Sequence, residues 1–233
     1  MEEQQPLQDT VPWTPRDVWF GVGAFFAWLA VAVGFVALKE YYSWQIDFGV
    51  FVALWELVLV VPAWWFTLRK YRVGWSALGL RGFKTETLAI GCGLMVLSFT
   101  FNFFYNLGLM AFDLQPRVDV VALFDEVSSP WPLLVGGVVV APVVEEMFFR
   151  GFVFTGFRKK YGWKTAGLIS AGLFAVVHLR PLTLVPIFIL GLIFAYLYHR
   201  SESIWPAVAM HVLTNAMGLG AAYLISRLGL MSG

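Results

Sequence analysis

The sequence predicts an all-α protein, a polytopic transmembrane helical bundle of about seven spans around a polar intramembrane chamber. Three observations carry this reading. Of 233 residues, 59% are hydrophobic and 13% charged, against roughly 25% charged in a soluble domain. Apolar runs close to the ~20 residues that a membrane crossing requires recur along the whole chain. The polar residues that interrupt those runs are few, and ionisable groups at membrane depth are rare and usually functional.

The expected spans run over residues 18–38, 48–68, 87–112, 132–157, 163–179, 182–198 and 204–226. Ahead of the first lies a polar tail, residues 1–16. The run after it is about twice the length of a signal-peptide core, so it reads as a retained helix. Glu56 is the carboxylate inside the second span, where lining a cavity and pairing with a neighbouring helix are both open. Asn102 and Asn106 share a face of the third, suited to substrate positioning or to interhelical bonding. No linker, repeat or low-complexity tract divides the chain, so residues 1–233 read as one integral membrane domain, with the polar-motif core over 132–226.

Lys and Arg alternate between the loops. Eleven fall on one side (Arg16, Arg69, Lys70, Arg72, Arg81, Lys84, Arg158, Lys159, Lys160, Lys164, Arg200) and four on the other (Lys39, Arg117, Arg180, Arg227). The positive-inside rule then predicts a cytoplasmic N-terminus. Residues 71–84 interleave basic residues with Trp75, Leu78, Leu80 and Phe83 and read as a segment along the inner surface. Residues 113–130 carry Asp113, Asp119, Asp125 and Glu126 and read as an outward loop able to cover a cavity. Trp13, Tyr41, Tyr42, Trp64, Trp65 and Trp205 fit an interfacial belt, and His199 an interfacial helix end. The single cysteine, Cys92, excludes an intrachain disulfide and reads as a helix-packing residue. A net charge of +1 gives no reason to expect a nucleic-acid partner.

The central stretch is Pro142-Val143-Val144-Glu145-Glu146-Met147-Phe148-Phe149-Arg150-Gly151. Adjacent glutamates on a helix diverge by about 100°, while Glu146 and Arg150, four apart, share a face and can pair. Glu145 is then free to face another helix or a hydrated cavity, as a general base requires. His178 ends the fifth span one turn after Phe174. His211 and Asn215, four apart in the last span, project together and can donate hydrogen bonds to one developing oxyanion. The competing reading of each group is structural hydrogen bonding between helices.

No His-Glu-x-x-His run is present, so a zinc ion would need ligands from three helices, namely Glu145, His178 and His211. A Gly-x-Ser-x-Gly elbow is also absent. The simplest remaining chemistry is a water activated by Glu145 and His178, with no cofactor required and zinc as the alternative.

These residues resemble the CPBP intramembrane endopeptidases, the family of CAAX prenyl proteases and bacteriocin-processing enzymes. Glu145 to Arg150 looks like its first motif, Phe174 to His178 its second, and His211 to Asn215 its third, in order and about 30 residues apart. The resemblance implies hydrolysis of a peptide bond in a membrane-embedded or lipidated peptide or protein tail. By the same resemblance Glu145 and His178 activate water, Glu146 and Arg150 fix the first motif helix, and His211 with Asn215 steady the oxyanion. The bilayer is then the protein's solvent, and a prokaryotic plasma membrane its expected location. The competing function is a non-catalytic membrane protein, an immunity factor or scaffold, using the same polar cluster.

One geometric condition follows. Glu145 lies mid-run and His178 at a span end, so straight perpendicular helices hold them apart. Bends are required, and Pro142, Pro181, Pro186 and Pro206 are candidates.

Overall fold

Long apolar runs leave the backbone no partner in lipid except itself, and here they form helices. The computed structural model describes residues 11–44, 47–114, 121–125 and 127–228. Among these residues there is no strand, and six helices are long and apolar enough to cross a membrane. They are α1 (Pro15–Tyr42), α2 (Gly49–Arg69), α3 (Glu86–Ala111), α4 (Pro130–Val176), α5 (Pro181–Ser201) and α6 (Trp205–Leu228). The chain is an integral membrane protein.

Six helices accommodate the seven expected spans because α4 carries two. Its 47 residues would reach about 70 Å if straight, more than twice the hydrocarbon thickness. The helix breaks instead at Gly162, with φ 75° and ψ 164°, a conformation that suits a residue with no Cβ. Its arms, 130–161 and 163–176, fold back on each other, and Ser170 Oγ donates to the Phe149 carbonyl at 2.8 Å. Stepping four residues along each antiparallel arm from that bond sets Phe174 opposite Glu145. The bend, together with the register, brings the first two motifs to one level; none of the four candidate prolines is at this position.

The first arm is the centre of the bundle. Phe148, Phe149, Phe152, Phe154 and Phe157 are all essentially inaccessible. Wide π-type turns occupy Gly136–Val140 and Met147–Phe154, on either side of Ala141–Glu146. Such turns displace backbone carbonyls from the regular ladder and often mark functional sites. In the second stretch three carbonyls accept side-chain donors: Phe149 from Ser170, Arg150 from Thr155 at 3.0 Å, and Phe152 from the Trp13 indole at 3.1 Å.

Three expectations are corrected. Trp13 is 2% exposed and belongs to the core, not to an interfacial belt. It is held there because Thr14 and Asp17 cap α1, and Asp17 also binds Lys70 and the Tyr71 hydroxyl. Residues 71–84 do not simply lie on a surface: the short helix Trp75–Leu78 buries Leu78 completely. A Cβ on Gly151 would stand 2.4 Å from the Leu78 carbonyl oxygen, so this close approach requires glycine. Cys92 is exposed on α3 and is not buried between helices. Asp119, Arg117 and Glu126 of the expected outward loop, and the first ten residues of the tail, lie outside the described residues.

Candidate active site

Glu146 and Arg150 are fully buried and paired, Arg150 Nη1 to Glu146 Oε1 at 3.0 Å. Burying these charges is tolerable only because each finds partners. Arg150 Nη2 donates to the Gly191 carbonyl of α5 at 3.0 Å. Its guanidinium also lies 4.6 Å from the ring centre of Phe174 and 5.3 Å from that of Phe194, a desolvated cation–π arrangement. The Gly191 backbone can come this near because Ala171 crosses it, with a Cβ on Gly191 only 3.0 Å from Ala171 Cα.

His211, on α6, joins the same carboxylate. Its Nδ1 lies 3.0 Å from Glu146 Oε1, and an ionised, Arg-paired Glu146 makes that nitrogen the donor. The other nitrogen, Nε2, faces Glu145 Oε2 at 3.9 Å, beyond hydrogen-bond range. The imidazole stacks on Phe194 with ring centres 5.0 Å apart.

Glu145 points elsewhere. Its side chain keeps 14% exposure and lines a cavity of about 210 Å³ together with His178, Glu56, Phe25, Trp28, Leu29, Trp55, Leu59, Phe149 and Val177. His178 Nδ1 donates to the Phe174 carbonyl at 2.7 Å, which leaves Nε2 with a free lone pair. That bond draws the ring back one turn, to the level at which Phe174 opposes Glu145. A second, apolar cavity of about 310 Å³ adjoins the first through Phe25, Trp28 and Leu59.

Asn215 is placed differently from the other motif residues. Its amide donates to the Gly137 carbonyl at 2.7 Å, in the first wide-turn stretch of α4. In this conformation it does not line the cavity. Asn102 and Asn106 bond to each other along α3, with Asn106 Nδ2 3.0 Å from Asn102 Oδ1, and neither lines the cavity. His199 stacks on Trp163 at 4.5 Å.

The cavity wall contributed by α1 and α2 was the least legible part of the site. Phe25 and Trp28 lie in an evenly apolar run that gives no sign of facing a site. Glu56 did carry a signal, as a carboxylate alone within a span. For a metal, the donor set is the test. Among the described residues no group of three His, Cys, Asp or Glu side chains is disposed to hold one ion. Glu145, His178 and His211 therefore do not form a ready zinc site in this conformation.

Residues 127–217, which contain all three motifs, match the family described as type II CAAX prenyl endopeptidase Rce1-like. That stretch is similar to the CAAX-protease family and makes up about two-fifths of the chain. "Putative membrane peptidase YdiL" of Bacillus subtilis (strain 168) is 31% identical over 94 residues, covering 40% of this chain and 38% of that protein. "Uncharacterized 24.3 kDa protein" of Escherichia coli is 34% identical over 86 residues, covering 35% of this chain and 40% of the relative. The chain thus spans about two-fifths of the length of the curated relatives it matches. No solved structure gives a significant match. The family match begins after α1 to α3, so the α1 and α2 side of the cavity lies outside it.

Proposed function

We propose that this protein is a member of the CAAX-protease family and an intramembrane endopeptidase that hydrolyses a peptide bond in a membrane-embedded or lipidated peptide or protein tail. The observation that carries the reading is the division of two adjacent glutamates: Glu146 is held by Arg150 and His211, while Glu145 lines a cavity with His178.

In this mechanism Glu145 takes a proton from water within the cavity and the resulting hydroxide attacks the scissile carbonyl. His178 orients that water through Nε2, its tautomer fixed by the Phe174 carbonyl. The proton held by Glu145 then passes to the leaving amine. His211, close to Glu145 and tied to Glu146, supplies positive electrostatic potential to the oxyanion when protonated. An oxyanion role for Asn215 requires release of its bond to Gly137; in the bonded state it fixes α6 against α4. Water activation proceeds through these side chains with no metal-dependent step. The orientation with a cytoplasmic N-terminus in a prokaryotic plasma membrane, from the loop charges, belongs to the same reading.

The test is cleavage of a synthetic peptide pool by the full chain in lipid nanodiscs, with Glu145→Gln as the control. The proposal expects cleavage by the native protein that Glu145→Gln abolishes and that strong chelators leave intact. Cleavage undiminished in folded Glu145→Gln ends the assignment, and chelator-sensitive cleavage with one equivalent of bound metal replaces the metal-free step.

A further inference from the structure

The cavity that holds Glu145 is lined by a second carboxylate as well. Glu56 comes from α2, at the point where the helix tightens into the 3-10 turn Leu57–Leu59. Among the described residues Glu56 makes no hydrogen bond or ion pair, and the mechanism above does not use it. Apart from His178, the remaining lining is aliphatic and aromatic.

Two carboxylates and one imidazole in so small and apolar a chamber leave a deficit of positive charge. The buried cation of the motif cluster does not fill it, since Arg150 directs its two terminal nitrogens to Glu146 and Gly191. A carboxylate partly withdrawn from water gains from a partner or a proton, and a peptide entering the chamber can bring the partner.

We infer that Glu56 is a specificity-determining residue that receives a cationic side chain, lysine or arginine, of the peptide bound for cleavage at Glu145. This deepens the peptidase reading and rests on it for the placement of the scissile bond. It gives α2 a role in choosing the substrate, while α4 to α6 carry the hydrolytic groups. Lysine reaches such a site readily, because its apolar stem lies against Trp28, Trp55 and Leu59 while the ammonium meets the carboxylate.

The experiment uses the full chain in nanodiscs and a synthetic peptide pool in which each position in turn is lysine, norleucine or glutamate. Cleavage sites are read by mass spectrometry, and binding of the same peptides is measured on Glu145→Gln. Native protein is expected to favour lysine over norleucine at one fixed distance from the cut. Glu56→Gln should reduce that kcat/KM ratio about thirtyfold or more, as expected when a buried charge pair loses one partner. Glu56→Asp should keep the direction of the preference and Glu56→Lys should turn it toward glutamate.

If Glu56→Gln does not cleave, the binding arm decides through Glu145→Gln with and without Glu56→Gln. A lysine preference that is unchanged by Glu56→Gln, or absent in native protein, overturns the inference while leaving the peptidase reading in place. Lysine-selective binding that depends on Glu56 with no Glu145-dependent cleavage does the reverse.

Discussion

His211 Nδ1 and Arg150 Nη1 meet at one atom, Glu146 Oε1, each at 3.0 Å. Two helices are thereby joined through a single buried carboxylate: Glu146 and Arg150 from the first arm of α4, and His211 from α6. A third is added where Arg150 reaches the Gly191 carbonyl of α5.

Removing one member of that cluster strands the others. Arg150→Met leaves the Glu146 carboxylate buried beside only a histidine, and stability is expected to fall by about 3–5 kcal/mol. Replacing both residues, Glu146→Gln with Arg150→Met, should recover a large part of that loss. Thermal unfolding in detergent across the double-mutant cycle measures it, and strictly additive losses would show that the pair is not coupled.

Ser170→Ala removes the donor that ties the arms of α4 together at Phe149. The freed carbonyl is buried, so a loss of about 1–3 kcal/mol is expected. Because the same bond sets Phe174 opposite Glu145, cleavage should fall further than stability alone explains. Activity per folded molecule, measured below the unfolding transition, separates the two effects.

Gly151→Ala sets a methyl 2.4 Å from the Leu78 carbonyl oxygen. Backbone on both sides of the contact must shift, and overpacking of this kind costs about 1–3 kcal/mol. A fluorescent probe on the 71–84 segment should report its displacement. Unchanged stability and probe environment would contradict the close packing.

Outside the spans, the Ser128 hydroxyl and then the Val50 amide hold the Asp47 carboxyl below the usual carboxylate range. A depressed folded-state pKa gives stability that is present above the unfolded value, about 3.9, and lost as pH falls through the lower folded value. The difference in melting temperature between native protein and Ser128→Ala should therefore stay constant near neutrality. It should shrink below about pH 4. A difference that persists at lower pH would assign it to something other than the ionised Asp47.

Much of this arrangement was legible in the sequence, for identifiable reasons. Charge is so costly in lipid that Glu145, Glu146, Arg150, His178 and His211 stood out from their apolar surroundings, and the four-residue spacing of Glu146 and Arg150 contained their pairing. The bend was not legible as such, because Gly162 sits among Lys159, Lys160 and Lys164, where a loop between two spans was the natural reading. The wide turns were invisible too, since they depend on donors from Trp13, Thr155 and Ser170 reaching in from other turns and helices. The Asn215 amide reads as a free donor in sequence, and only the packing of α6 on α4 reveals the Gly137 carbonyl that accepts from it. The Glu56 side of the cavity depends on how α1 and α2 pack, which no local pattern encodes.

The central claim is that Glu145, facing the cavity beside His178, is the base that hydrolyses a peptide bond. Its most direct measurement is a comparison of protein termini in membranes carrying native protein and membranes carrying Glu145→Gln at equal abundance. The account predicts new termini with the native protein that disappear with Glu145→Gln. The same termini, at the same yield, from both membranes would contradict it.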